Sequence, residues 1–289
     1  MRTVRTIAEL RAHLARVRAG GRTVGLVPTM GAFHAGHHSL IRAAREAHDE
    51  LVVSLFVNPA QFNEAADLAA YPRDEARDAA EAAALGADVL FAPPVEEIYP
   101  PGFSTTVHVA GLTDVLEGAH RGAAHFDGVC TVVTKLLNIV APDAAYFGQK
   151  DAQQLAVVRR LVRDLDLPVC IEGLPTVRDD DGVALSSRNA HLSPAERERA
   201  RALSRGLRAA AALVAAGERD GGPLVAAEHA ELAAEGIEPE YVALVDPDSF
   251  EALTRLDGRA LLAVAARVGA TRLIDNVLLE PVGAPVATG

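Results

Sequence analysis

The chain has 289 residues, 49% hydrophobic and 23% charged, so it is long and apolar enough to fold around one or two cores. Lys and Arg number 28 against 39 Asp and Glu, which gives a formal charge of -11. A net negative charge disfavours sequence-independent nucleic-acid binding, because such binding needs a basic face to neutralise phosphates. A local basic pocket for a small phosphorylated ligand stays open.

The N-terminal segment MRTVRTIAELRAHLARVRAG is amphipathic and basic, and no unbroken apolar run follows its charges. It predicts neither a signal peptide nor a membrane span. Two cysteines, Cys130 and Cys170, lie in apolar stretches, so we expect buried, inert thiols rather than a disulfide framework.

The first half of the chain alternates short apolar runs with amphipathic helical patterns. Four runs end in Gly, Pro or Asn and predict strands at 23–29, 51–58, 87–93 and 144–148. HHSLIRAAREAH and DEARDAAEAAALG predict helices between them, with Gly86 as a helix stop. This pattern indicates an α/β fold, with a parallel sheet covered by helices on both faces and ligands at the carboxyl edge of its strands.

After Pro175 the texture changes, and the pattern favours a smaller α+β domain. Ser193, Pro194 and Glu196 form a capping-box sequence at the start of a helix that we predict to about residue 216. A second helix and three strands (YVALVD, ALLAVAARVG and TRLIDNVLLE) follow. The tail PVGAPVATG is predicted to be disordered, and the acidic run at 179–182 to be a solvated hairpin turn.

The segment VPTMGAFHAGHHSL places two histidines, His34 and His37, at the predicted start of a helix. A helix N-terminus offers unpaired N–H groups and a positive dipole end, which favour a phosphate, and Gly36 allows close approach. Two surface histidines or a metal-binding pair are the alternatives. The metal-binding pair is disfavoured because no Cys or carboxylate cluster lies nearby. The segment is also not a dinucleotide-binding fingerprint, because G-x-G-x-x-G is absent after the first strand.

Further polar segments follow the later predicted strands. FVNPAQFN supplies the amides of Asn58 and Gln61, which suit a substrate with hydroxyls and a carboxylate, or simply cap a turn. YFGQKDAQQL places Lys150 at a strand end, where it is a point charge for phosphate or an ordinary solvated lysine. ALSSRNAH offers hydroxyl and guanidinium donors for a triphosphate, or forms a polar linker.

These segments, in this order, resemble the pantothenate synthetases of the nucleotidylyltransferase superfamily, whose H-x-G-H signature matches residues 34–37. Matching segments lie at 28–32, 56–62, 71–73, 147–151 with Gln154, and 186–189, and cover most of the chain. Gln149 departs from the Glu usual in the family, so we do not carry an acidic contact over to it. The resemblance implies a Rossmann-like catalytic domain over 1–176 and a smaller domain over 177–289 that closes over the site.

The resemblance also implies the site residues. ATP-binding residues are expected at Met30, Gly31, Ala32, Phe33, His34, Ala35, Gly36, His37, Gly148, Gln149, Lys150, Asp151, Val177, Leu185, Ser186, Ser187 and Arg188. His34, His37, Lys150 and Arg188 are the expected catalytic residues. Substrate contacts are expected at Asn58, Gln61 and Gln154. Arg121 is expected near the site, whereas His120 and His125 receive no role.

The implied activity is the ATP-dependent condensation of pantoate with β-alanine to pantothenate, AMP and diphosphate through pantoyl adenylate, with Mg²⁺. The expected protein is a cytoplasmic homodimer with no nucleic-acid or membrane partner, and its metal ligands are unknown. Two rivals stay open, a nucleotidylyltransferase that releases a stable adenylylated product and a non-catalytic nucleotide sensor. The amides of FVNPAQF and Gln154 argue against the first, because phosphorylated acceptors call for basic residues.

Overall fold

The computed structural model describes residues 1–281, in two compact units. The first contains residues 1–149 and 153–175, and the second contains residues 150–152 and the chain from Thr176. The tail expected to be disordered lies, after Pro281, outside the described residues. The division into domains 1–176 and 177–289, with the second closing over a site, stays a prediction.

The first unit is built on a parallel sheet, as the sequence predicted, and this sheet has six strands. Its strands are β1 (Arg2–Val4), β2 (Val24–Thr29), β3 (Glu50–Leu55), β4 (Val89–Phe91), β5 (Ala144–Gly148) and β6 (Cys170–Leu174). The strand order is β1-β4-β3-β2-β5-β6. The four predicted strands are β2 to β5, and the sequence reading missed the two edge strands.

Eight helices accompany this sheet along the described chain. They are α1 (Ile7–Ala19), α2 (Ala35–Ala47), α3 (Ala65–Ala70), α4 (Glu75–Ala84), α5 (Val95–Ile98), α6 (Glu117–Arg121), α7 (Ala123–Val140) and α8 (Ala152–Asp164). Successive strand residues face opposite sides, so Leu26 packs in the core with α1, α7 and α8 while Val27 packs with α2 and α4. Helices therefore cover both faces, as predicted.

Helix α7 is, among residues 1–281, the one helix long and apolar enough to cross a membrane, with a mean hydropathy of 1.2. Within the protein, 61% of this 18-residue helix is buried. Val129, Val133 and Leu136 join Leu10 and Leu14 of α1 in one core cluster. The composition of α7 is accounted for by this packing.

The order of the strands reverses at β2: β3 and β4 are added on one side of it, and β5 and β6 on the other. In open parallel sheets ligands bind beyond the carboxyl ends of the strands at such a switch point. The loops after β2, β3 and β5 therefore emerge side by side at one edge. The predicted nucleotide and substrate motifs of the first unit follow these three strands.

The second unit combines helices α9 (Pro194–Ala215) and α10 (Gly221–Ala234) with strands β7 (Pro239–Val245), β8 (Ala260–Val268) and β9 (Thr271–Leu279). The three strands form an antiparallel sheet in the order β7-β8-β9. The capping box of Ser193 and Glu196 begins α9, as predicted. The α+β class of this part is confirmed.

One prediction about the cysteines is wrong. Cys130 is buried in α7, and burial raises the pKa of its thiol to about 12. Cys170, expected to be buried, is exposed, because β6 is an edge strand rather than a central one. Its Sγ donates a 3.3 Å hydrogen bond to Glu172, which raises the pKa of this thiol as well.

Candidate active site

The loop after β2 reverses direction through two residues with positive φ. Gly31 has a φ of +88°, and Ala32 has a φ of 53°, which is uncommon for a residue with a Cβ. The carboxylate of Asp78, on α4, accepts hydrogen bonds from the backbone amides of Ala32 (2.9 Å) and Phe33 (3.0 Å). The conformation of this loop is therefore held from another element.

His34 is the N-cap of α2, and its Nδ1 accepts a 3.1 Å hydrogen bond from the backbone amide of Gly36. An accepting Nδ1 carries no proton, so the neutral His34 ring has its proton on Nε2, as a donor. A Cβ at Gly36 would lie 2.8 Å from Cε1 of His34. Residue 36 therefore must be small for His34 to cap the helix, a reason the sequence reading did not foresee.

His37 lies in the first turn of α2, beside His34. Their ring centroids are 4.2 Å apart, and the His37 centroid is 5.4 Å from that of Phe33. Two imidazoles thus flank a helix N-terminus, where N–H groups and the helix dipole favour an anion. The prediction that both histidines stand at the mouth of this helix is confirmed.

The loop after β3 contains Asn58, whose side chain is committed to protein partners. Asn58 is 1% exposed, and its Nδ2 donates 3.0 Å bonds to Oε1 of Gln61 and to the carbonyl of Gly128. Its Oδ1 accepts from the Tyr99 hydroxyl at 2.8 Å. Burial raises the Tyr99 pKa to about 12, so this hydroxyl keeps its proton. Asn58 therefore orients Gln61, whose Nε2 is turned away as a donor.

The backbone of the Gln61 turn is fixed from α7. Nδ1 of His125 lies 2.7 Å from the Gln61 carbonyl, and because a carbonyl only accepts, the imidazole is the donor. A Cβ at Gly128 would lie 2.2 Å from the carbonyl oxygen of Ala60. The helix and the turn can approach only because residue 128 has no side chain.

Strand β5 ends at Gly148, and the chain continues as a 3₁₀ turn over Gln149–Asp151. Lys150 and Asp151 lie two and three residues after the end of the strand, although they group with the second unit. The Lys150 side chain is 17% exposed, and its Nζ lies 3.4 Å from Oδ1 of Asp151. The strand-end position predicted for Lys150 is confirmed.

Two adjacent glutamines open α8, and they differ in what they bind. The Gln153 side chain is 5% exposed; it accepts from the Glu117 amide and donates to the carbonyls of Leu112 and Val115. Gln154 is only partly buried. Of the two, Gln154 is the one placed to meet a ligand.

In the second unit the predicted phosphate-binding segment follows a tight hairpin. Leu185 donates to the carbonyl of Val177, and the Ser186 hydroxyl accepts from the Arg188 amide at 3.3 Å. The acidic turn before it was predicted to be solvated, but Asp179 and Asp181 both bind Arg197 of α9, at 2.5 and 2.7 Å. The hairpin is confirmed, and its carboxylates anchor it to the helix. Ser187 and Arg188 are exposed.

A partly buried ion pair between Arg178 and Asp275 of β9 lies next to the residue that binds the Lys150 segment within the second unit. Arg178 binds Asp275 through both guanidinium nitrogens, at 2.6 and 2.9 Å. The adjacent Asn276 donates a 3.0 Å hydrogen bond from Nδ2 to the backbone carbonyl of Lys150. The 150–152 segment is thus attached to β9.

The structure distributes the predicted site residues between the units. The loops after β2, β3 and β5 bring together, at one sheet edge, 30–37, Asn58, Gln61, Gly148, Gln149 and the start of α8 with Gln154. Lys150, Asp151, Val177 and 185–188 belong to the second unit. Within residues 1–281, no group of three His, Cys, Asp or Glu side chains is arranged to hold a metal ion.

Comparison with known proteins identifies the family of the chain. The family model described as pantoate-beta-alanine ligase matches residues 2–278 of the chain. The chain belongs to the pantoate-beta-alanine ligase family. A pantothenate synthetase of Rhizorhabdus wittichii is 55% identical to it, over 97% of this chain and 99% of the relative. One from Moorella thermoacetica is 52% identical, with coverage of 97% and 99%.

Solved structures of the ligase family share the fold. The crystal structure of pantothenate synthetase from Thermus thermophilus has a TM-score of 0.91 and 47% identity, covering 97% of this chain and 100% of that one. A pantoate-beta-alanine ligase from Francisella tularensis, complexed with beta-gamma ATP and beta-alanine, has a TM-score of 0.76 and 34% identity, over 96% and 97% of the two chains.

Some residues that support the candidate site were not predicted from the sequence. Asp78 and Tyr99 sit in segments that carried no motif, and Asn276 lies in a predicted strand. Gly128, inside an apolar helical run, was a usable signal, because a glycine there costs helix stability unless close packing requires it. His125 was noticed but given no partner, and its partner is the Gln61 carbonyl.

Proposed function

We propose that this chain condenses (R)-pantoate with β-alanine at the expense of ATP, giving pantothenate, AMP and diphosphate. The observation that carries the proposal is that three of the family's motif segments, 28–37, 56–62 and 147–149, follow the carboxyl ends of β2, β3 and β5 at the switch point of the sheet. The polar groups that follow these adjacent strands include hydrogen-bond donors for the phosphates and neutral amides for pantoate.

The chemistry proceeds in two steps. An oxygen of the pantoate carboxylate attacks the α-phosphorus of ATP, a P–O bond to the β-phosphate breaks, and diphosphate leaves. The amine of β-alanine then attacks the acyl carbon of pantoyl adenylate, loses a proton, and expels AMP. An amine cannot displace oxide from a free carboxylate, because oxide is a poor leaving group. Adenylation replaces it with AMP, which is a good leaving group. No protein nucleophile takes part.

The protein contributes positioning and stabilisation of negative charge, which dominate catalysis of phosphoryl and nucleotidyl transfer. We assign His34 and His37, at the N-terminus of α2, to the phosphates, with Nε2 of His34 as a hydrogen-bond donor. His37 also donates to the leaving diphosphate. Lys150 and Arg188, both in the second unit, supply positive charge to the phosphates, on the strength of the family's motifs.

Gln61 and Gln154 are assigned to pantoate, with Gln61 also near β-alanine. Asn58 was expected to contact substrate as well, but at 1% exposure, with its amide bonded to protein groups, we assign it instead to orienting Gln61. Neutral amides suit the hydroxyl and carboxylate groups of pantoate.

Mg²⁺ enters the proposal with ATP, as MgATP. The absence of a three-ligand cluster in residues 1–281 fits this role, because Mg²⁺ is usually held by substrate phosphates and one or two carboxylates. We further propose that the protein acts in the cytoplasm as a homodimer on these small molecules alone, with no nucleic acid or membrane partner.

An assay of AMP release tests this function. Release that requires ATP, pantoate and β-alanine together supports the ligase assignment. A stable adenylylated product that accumulates without β-alanine would point to a nucleotidylyltransferase, and binding of ATP without turnover would point to a nucleotide sensor.

A further inference from the structure

Asp78 is a buried carboxylate that binds the loop after β2 through both of its oxygens. It is 2% exposed, and Oδ2 accepts from the Ala32 amide while Oδ1 accepts from the Phe33 amide. A buried carboxylate is costly unless hydrogen bonds compensate it, and charge-assisted bonds to amides are stronger than neutral ones. The two hydrogen bonds to loop amides therefore account for a carboxylate at this buried position.

The loop that Asp78 holds is strained. Ala32, at a φ of 53°, is in a region that residues with a Cβ adopt only when the surroundings hold them there. A Cβ at Gly31 would lie 2.7 Å from Oδ2 of Asp78, so the carboxylate lies directly against the turn. Two bonds from one rigid carboxylate fix the direction of two successive peptide groups.

Helix α4 is also fixed to α2, the helix that carries the two histidines. Nε2 of His38 lies 2.8 Å from Oε2 of Glu81, and Ile41, Phe33 and Ala82 share one core cluster. The strained loop and the N-terminus of α2 are therefore held by a single neighbouring helix.

We infer that Asp78 is a positioning residue for ATP, which holds the 31–33 loop in its nucleotide-binding form before ATP arrives. The inference rests on the proposed function. By occupying the Ala32 and Phe33 amides, the carboxylate removes two donors from the phosphates, and its charge repels them. It thereby directs the phosphates to the start of α2. Contacts of ATP with Ala32 and Phe33 then involve groups other than their N–H.

The test is Asp78→Asn, which keeps the shape but places an NH₂ group against one of the two amide donors. We expect the KM for ATP, and its Kd by calorimetry with MgATP, to rise about 10-fold, while the KM for pantoate changes less than about twofold. Glu75→Gln is the matched control, because it neutralises a carboxylate of the same helix that pairs with Arg5 rather than with the loop or with α2. It should keep the wild-type KM for ATP.

Amide hydrogen exchange reads the same bonds in the wild-type protein. The Ala32 and Phe33 amides should be protected without ATP and gain little protection on its addition, whereas in Asp78→Asn they should exchange faster. Unprotected amides in the ATP-free wild type, or an unchanged ATP KM and Kd in a folded Asp78→Asn, would overturn the inference. If that variant fails to fold, the wild-type exchange decides. Absence of pantothenate synthesis by the wild type would refute the proposed function. Hydrogen exchange and MgATP calorimetry would then still test whether Asp78 positions the loop for ATP.

Discussion

The side-chain amide of Asn276 donates a 3.0 Å hydrogen bond to the backbone carbonyl of Lys150, a residue far away in the chain. Asn276 is 5% exposed on β9, directly after Asp275, which is held in a bidentate pair by Arg178. A surface lysine would need no such anchor. This bond therefore makes the position of the Lys150 segment depend on the sheet of the second unit.

We predict that Asn276→Ala lowers turnover about 10-fold with little change in melting temperature, because displacing a charged group by about 1 Å can cost up to about 10²-fold. The loss should be smaller than that of Lys150→Ala, measured as pantoate-dependent diphosphate release. Asn138→Ala, which removes an exposed amide bonded only within α7, is the control. Wild-type turnover in folded Asn276→Ala would show that the bond does not position Lys150.

His37→Ala should leave the fold intact and slow adenylation by at least about 10²-fold, the usual effect of losing a positioned proton donor or charge stabiliser. Its neighbour His38, which pairs with Glu81, provides the control, since His38→Ala removes an imidazole from the same turn without touching the proposed phosphate site. Near-normal diphosphate release by the His37 variant would support the alternative hypothesis, in which His34 and His37 are both surface histidines without a role in the reaction.

Gly128→Ala should displace the Gln61 turn, because the added Cβ would fall 2.2 Å from the Ala60 carbonyl oxygen. We expect a loss of about 1–3 kcal/mol in unfolding free energy, as for other overpacked sites, together with a raised KM for pantoate. Gly222→Ala is the control, because a Cβ added at this helical position would meet no neighbouring heavy atom within 4 Å. This substitution should not destabilise the protein. An unchanged KM for pantoate in Gly128→Ala would show that the position of the Gln61 turn does not affect pantoate binding.

Glu228 is the buried acid of the second unit. It is 0% exposed on α10, and neither carboxyl oxygen has a hydrogen-bond partner within residues 1–281. Burial, with smaller contributions from Asp275 and Glu231, raises its pKa from 4.5 to about 9. The folded state therefore keeps a proton that the unfolded chain releases above its own pKa, and stability falls as pH rises between these two values.

Replacing this acid with Glu228→Gln should remove that pH dependence and stabilise the protein at alkaline pH. Each unit of pKa difference corresponds to about 1.4 kcal/mol, so the gain in unfolding free energy near pH 8 is on the order of a few kcal/mol. Urea unfolding at several pH values measures the slope. Glu238→Gln, at an exposed position, should retain the wild-type slope. Equal slopes in both variants would mean that Glu228 is ionised in the folded protein.

The elements of the fold could be predicted where the local pattern and the tertiary environment agree. Strands β2 to β5 are continuous apolar runs because both sheet faces are covered, and Ser193 with Glu196 marks the start of α9. The edge strands escaped because they lack this signal. β1 has three residues, and β6 is half exposed, which also accounts for the wrong expectation of a buried Cys170.

For the site, the sequence supplied the ligand-facing candidates but not their supports. His34, Gln61 and Lys150 belong to segments with a recognisable chemical pattern. Asp78, Tyr99 and Asn276 act through contacts with residues that are 41 to 126 positions away in the chain, and no local pattern encodes such pairings. The role of Asn58 changed for the same reason, because its burial depends on Tyr99 and Gly128.

The central claim, a two-step ligase with an enzyme-bound adenylate, is tested most directly by rapid-quench measurement of diphosphate with ATP and pantoate but no β-alanine. A mixed anhydride hydrolyses readily in water, so the site must hold it until the amine arrives. We predict a burst of diphosphate comparable to the enzyme concentration followed by slow leakage, and steady AMP production once β-alanine is added. Diphosphate that forms only in the presence of β-alanine would contradict the account.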